Sequence, residues 1–167
     1  PEDEFQRAFG MLRSQQFLEA KDALIKFIDN HGEDKLSGSA HYWLGEIYLL
    51  KKEYKEAALV LAEGYQKFPL SIKAPDMLYK LSESLINIDK KKDGCNTLKK
   101  LSEEFPQHMV SNRYGNDLTC DQCSEQIARD FDQEYTDYKC IQEAELEDWS
   151  SQYDDDPNPY HGNYSEM

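Results

Sequence analysis

Apolar residues in this chain recur three and four positions apart, the spacing of one broad buried face on a helix. Between Ser39 and Lys51 the series is Tyr42, Trp43, Leu44, Ile47, Tyr48 and Leu50. A second series follows almost at once, with Tyr54, Ala57, Ala58, Leu61, Tyr65 and Phe68, and Pro69 ends it because proline has no N–H to continue a helix. The same pattern runs three times in a register of 37 residues: Ala8, Gly45 and Ser82; Ala20, Ala57 and Gly94; Leu24, Leu61 and Leu98; Phe5, Tyr42 and Tyr79. The unit ends align as Gly32, Pro69 and Pro106. Self-similarity at such a period predicts an all-α solenoid of three helix-turn-helix units over residues 1–106, in which each unit buries its apolar face against its neighbours.

Small residues at Gly45 and Ala57, large apolar ones at Tyr48 and Leu61, and a closing Pro69 fall where a tetratricopeptide repeat places them. That unit is about 34 residues long, so the extra residues are expected between Pro69 and Ser82, in the connection between units. The first unit, Phe5 to Gly32, lacks the closing proline, and the third, Met77 to Pro106, has Lys91 where Phe17 and Tyr54 stand in the others. Atypical end units are usual in solenoids. The first helices of such an array line a concave groove. Positions three before, one after and four after the small residue are expected to face it: Phe5, Phe9 and Leu12; Tyr42, Glu46 and Leu49; Tyr79, Glu83 and Ile86. Rigid aromatics flanked by carboxylates would suit a basic or amide-rich peptide. The competing reading is that the aromatics fill space between neighbouring first helices, and for Trp43 filling is the expectation.

Charge divides the chain. Residues 1–106 hold 16 Lys or Arg against 18 Asp or Glu, whereas residues 107–167 hold 3 against 15, and the sums reproduce the net −14. An acidic extension repels phosphate backbones and anionic headgroups, so nucleic acid and bare membrane are poor partners. No run approaches the roughly 18 apolar residues of a membrane span. Within the extension Cys123, Ile127, Phe131, Tyr135, Tyr138 and Ile141 keep helical spacing, which predicts an amphipathic helix over about 121–149. Such a helix would cap the third unit or fold back along the groove in place of a ligand. From Asp154 to Met167, clustered charge and two prolines predict extended or disordered chain.

Candidate chemistry is sparse, and no catalytic residue or cofactor is indicated. Phosphate loops, nucleophile elbows and paired histidines at helical metal spacing are missing. Cys120, Cys123 and Cys140 could form a disulfide, Cys140 joining either of the others. As an alternative they could hold zinc, although only His108 or His161 could complete four ligands. A metal- or redox-responsive module built on these cysteines is therefore the alternative function. Cys95, next to Gly94, reads as buried packing.

The stretches Ala40-His41-Tyr42-Trp43-Leu44-Gly45-Glu46, Ala8-Phe9-Gly10-Met11-Leu12-Arg13 and Gly64-Tyr65-Gln66-Lys67-Phe68-Pro69 resemble the C-terminal domain of the Tol-Pal system protein YbgF, or cell division coordinator CpoB, family over about residues 3–106. The resemblance implies a non-enzymatic periplasmic adaptor that binds TolA and coordinates outer-membrane constriction with the peptidoglycan synthesis machinery in cell division. The trimerising coiled coil of that family is not in this sequence, so the oligomer expected from it does not carry over. The acidic extension departs from the family pattern. Pro1 in place of Met leads to the expectation of an excised or processed chain. His108-Met109 is also the pair a common cloning site leaves, so a repeat array fused to a partner segment stands beside a native extension.

Overall fold

A computed structural model describes residues 1–108 and residue 129. Six α-helices follow one another: α1 (Glu2–Arg13), α2 (Phe17–Asn30), α3 (Leu36–Leu50), α4 (Tyr54–Lys67), α5 (Ala74–Asn87) and α6 (Lys91–Glu104), with no strand among the described residues. Each helix packs on the next, and the first helices α1, α3 and α5 also meet one another along one side of the stack. This is the expected solenoid of three helix-turn-helix units. Helix α3 begins at Leu36, ahead of its apolar run. Its first turn is helped by the Asp34 carboxylate, which accepts the Leu36 N–H at 2.8 Å.

Connections inside a unit span 14–16, 51–53 and 88–90, whereas those between units span 31–35 and 68–73, so the added length lies between units as the spacing predicts. The inner connections are the same turn made three times. Gln15, Lys52 and Asp89 take left-handed φ values of 63°, 57° and 64°. The next residue then donates back to the helix just ended: Gln16 to Met11, Glu53 to Tyr48 and Lys90 to Leu85, each at 2.9 Å. This is the Schellman arrangement, and here a non-glycine residue occupies its left-handed position each time.

Such a tight turn lays the second helix close against the first, and small residues make the approach possible. A Cβ on Gly45 would lie 2.5 Å from Leu61 Cδ2, and one on Gly94 would lie 2.6 Å from Ile86 Cγ1 and 3.0 Å from the Ser82 carbonyl oxygen. Gly64 plays the same part twice, within its unit and towards the next, since its Cβ would meet His41 Cβ of α3 at 2.5 Å and Met77 Sδ of α5 at 2.8 Å. His41, inside this crossing, is fixed by a 2.6 Å contact between Nδ1 and the Ser37 carbonyl oxygen. Two apolar clusters result: the larger joins α1 to α5, and the smaller gathers Leu78, Tyr79, Ile86, Cys95, Leu98 and Leu101 between α5 and α6. Cys95 is buried, as its place beside Gly94 predicts.

The turn between units also repeats. Asp34, Ser71 and His108 each donate their N–H to the residue three earlier, His31, Phe68 and Phe105, at 2.9, 3.0 and 3.0 Å. The third copy follows α6. There His108 Nε2 lies 3.1 Å from Asp76 Oδ1, which ties the end of the array to the first turn of α5. The expected helix over about 121–149, the extended stretch beyond it and the cysteines Cys120, Cys123 and Cys140 lie outside the described residues, apart from Arg129, which is helical and exposed.

Two outcomes are expected. A left-handed backbone costs an L-residue roughly 1–2 kcal/mol, less for Asp, so Gln15→Gly should stabilise the protein by about 1 kcal/mol and Asp89→Gly by less, as urea denaturation would report. Burial, and then its hydrogen bond to the Glu104 carboxylate, push the Tyr65 phenol above its ordinary range. A raised phenol pKa means that the contribution of this bond is complete below about pH 10 and is lost as pH rises towards the folded-state value. Spectrophotometric titration should find one tyrosine ionising well after the others, and Glu104→Gln should bring it back towards them.

Candidate functional site

The expected groove positions fall on three stripes of the first helices, and the structure treats them differently. At about 100° per residue, a position four after the small residue returns to within about 40° of it. Leu12, Leu49 and Ile86 therefore face the second helix of their own unit and are buried. Ile86 shows it directly, lying under Gly94 of α6. These three are packing residues and not groove wall.

In the first unit the aromatics are core as well. Phe5 is stacked 6.3 Å from Phe9 and meets Phe27 of α2 edge-on at 5.7 Å, while Phe9 meets Trp43 of α3 edge-on at 5.4 Å. The expectation of a groove-facing Phe5 and Phe9 is thereby corrected, because α2 and α3 close over them. Trp43 fills the space between first helices, with Phe9 on one side and Tyr42 at 5.0 Å on the other.

The middle and last units bring the remaining four candidates towards two cations that the repeat pattern did not single out. Lys73, at the start of α5, holds its ammonium 5.0 Å from the centre of the Tyr42 ring and 5.2 Å from that of Trp43. Lys80 lies between Glu46 of α3 and Glu83 of its own helix, at 3.7 and 3.8 Å, and 5.5 Å from the Tyr79 ring centre. The two carboxylates read as acidic flanks thus share one lysine across the α3–α5 boundary. The result is a band of alternating charge beside two tyrosines. The band is also covered: Tyr42 and Tyr79 retain 6% and 5% of their surface, Lys73 and Glu83 none, and the side chains of Glu46 and Lys80 14% each.

A signal for both lysines was present. Lys80 occupies in the third unit the position of Trp43 in the second, and Lys73 that of Leu36, so a buried apolar position carries a cation in each case. Lys80 also stands three residues before Glu83, the spacing of neighbours on a helix surface.

Among the described residues no helix is long and apolar enough to cross a membrane, and no group of three or more His, Cys, Asp or Glu side chains could hold a metal ion.

The tetratricopeptide repeat family model matches residues 76–108, which are the third unit from α5 to the turn at His108. No curated protein matches the chain. The match covers the third unit alone; together with the six paired helices it supports a tetratricopeptide-type helical repeat, a fold that serves protein–protein interaction in general.

Removing one partner from a buried ion pair is destabilising by roughly 3–5 kcal/mol, and Lys80 is partly exposed. Lys80→Met should therefore lower stability by about 2 kcal/mol. Combined with Glu83→Gln it should cost less than the sum of the two single changes, which a double-mutant cycle by urea denaturation would measure.

Proposed function

We propose that this chain is a protein–protein interaction adaptor that docks an amphipathic segment of its partner on the α3–α5 band. The observation that carries the reading is that band. Tyr42, Tyr79, Lys73, Lys80, Glu46 and Glu83 come together from the first helices of two adjacent units. Rings supply contact area at small entropy cost, and the alternating charges select register and orientation more than raw affinity. The concave side of a solenoid is the natural place for such a segment.

The finer assignment rests on the resemblance of Ala40 to Glu46 and its flanking stretches to the YbgF/CpoB family. On that basis the partner is a TolA-like envelope protein, the location is the periplasm, and the role is to link outer-membrane constriction to the peptidoglycan synthesis machinery. The interaction fold supports an adaptor in general, and the resemblance supplies the rest. Reactivity has no part in this reading, which needs only shape, rings and charge.

Titration of a TolA domain against the wild-type chain and against Tyr42→Ala combined with Tyr79→Ala tests both levels. A loss of at least tenfold in affinity is expected, about 1.4 kcal/mol, with helical content unchanged by circular dichroism. Binding that ignores the double change would remove the band from the reading. A TolA domain that does not bind the wild-type chain at all would remove the envelope assignment.

A further inference from the structure

The band between α3 and α5 has the composition of a docking surface and little accessible area. Lys73 and Glu83 carry charges on the side of the stack where first helices meet, yet neither keeps accessible surface, and the two tyrosines keep almost none. Packing inside each unit accounts for other residues, Leu61 against Gly45 and Ile86 against Gly94. Tyr42, Lys73, Tyr79 and Lys80 lie instead at the boundary between two units, where α3 meets α5.

We propose that residues 109–167 of the same chain dock on this band and hold it in a self-occupied state, so that an outside partner must displace them. The inference deepens the adaptor reading and rests on it for the identity of the surface.

Three observations lead to this occupant. The first is where the chain leaves the array. His108 is buried and paired with Asp76, one helical turn beyond Lys73, whose ammonium lies over Tyr42 and Trp43. The following chain therefore starts beside the band and needs no long connection to reach it. The second is charge. Residues 107–167 hold 15 acidic against 3 basic residues, and Lys73 and Lys80 are the cations that the band offers them. The third is pattern. Phe131, Tyr135 and Tyr138 repeat at helical spacing with Asp130, Asp132, Glu134 and Asp137 around them, a sequence pattern that offers rings for Tyr42 and Tyr79 and carboxylates for the lysines.

Zero-length carbodiimide coupling of the full wild-type chain tests the contact, because it joins only amines and carboxylates already touching. The chain is prepared as a mixture of 15N-labelled and unlabelled copies, and the products are mapped by mass spectrometry. The expected product joins Lys73 or Lys80 to an Asp or Glu of residues 109–167 within one isotopic copy. Products of this kind found only between copies, or none from either lysine to that segment, would overturn the proposal.

A second measurement separates it from the adaptor reading. The full chain carrying Asp130→Asn, Asp132→Asn, Glu134→Gln and Asp137→Asn should bind the TolA domain several-fold more tightly than wild type, because its own segment competes less well. Coupling within one copy without that gain would uphold the self-docking and count against TolA as the competing partner. Failure of coupling, with affinity still controlled by Tyr42 and Tyr79, would sink the self-docking and leave the adaptor reading in place.

Discussion

Everything in the described array follows from how closely the two helices of a unit are made to cross. The left-handed residue at Gln15, Lys52 and Asp89 reverses the chain within a few positions, and the hydrogen bond that follows each of them fixes the angle of return. At that separation a side chain at Gly45 or Gly94 would overlap Leu61 or Ile86. The small residue is therefore a consequence of the turn, and the turn is tolerable only because the crossing repays the left-handed strain with buried apolar contact. A period of 37 residues in the sequence is the trace of this one local solution used three times.

Stacking then decides what each unit exposes. Helix α3 is covered by α2 and α4 at its sides and by α1 and α5 along the row of first helices, so even its serines and His41 are buried. Phe9 and Trp43 close the first boundary in that row with aromatic contact. At the second boundary Lys80 takes the Trp43 position, and a charged bridge to Glu46 replaces the ring. A buried ionic contact adds little net stability compared with an apolar one, but it demands particular partners. Substituting a cation for a ring between α3 and α5 exchanges adhesion for selectivity, and it does so where the two tyrosines gather.

The fold was legible because its determinants are local and periodic. Small residues, closing prolines and three-four spacing each report on a neighbour within one unit, so the helix pairs and the longer connections between units could be placed from sequence. The groove was less legible, for a geometric reason. Leu12, Leu49 and Ile86 share a stripe with the small residue, and a helical wheel puts them on the second helix once the turn angle is known. Phe5 and Phe9 are core because α2 and α3 close over them, a fact that no count from the small residue contains. Lys73 and Lys80 escape the repeat pattern because single lysines on amphipathic helices usually face solvent; their departure from the residue type of the neighbouring unit is the available clue.

Self-occupancy would change how such an adaptor works. A segment tethered next to its site acts at an effective concentration on the order of 1 mM, so a contact with a dissociation constant of about 0.1 mM between separate molecules would still fill the band roughly nine times in ten. Weak, largely ionic contacts are then sufficient, and an acidic segment meeting two lysines is the kind that rising salt loosens first. A partner would see its affinity reduced by the occupied fraction, about tenfold under the same figures, and would gain access by offering rings and carboxylates better arranged than those of the tether. The alternating charges of Lys73, Glu46, Lys80 and Glu83 would decide that competition, because the rings accept any flat apolar surface whereas the charge order accepts few.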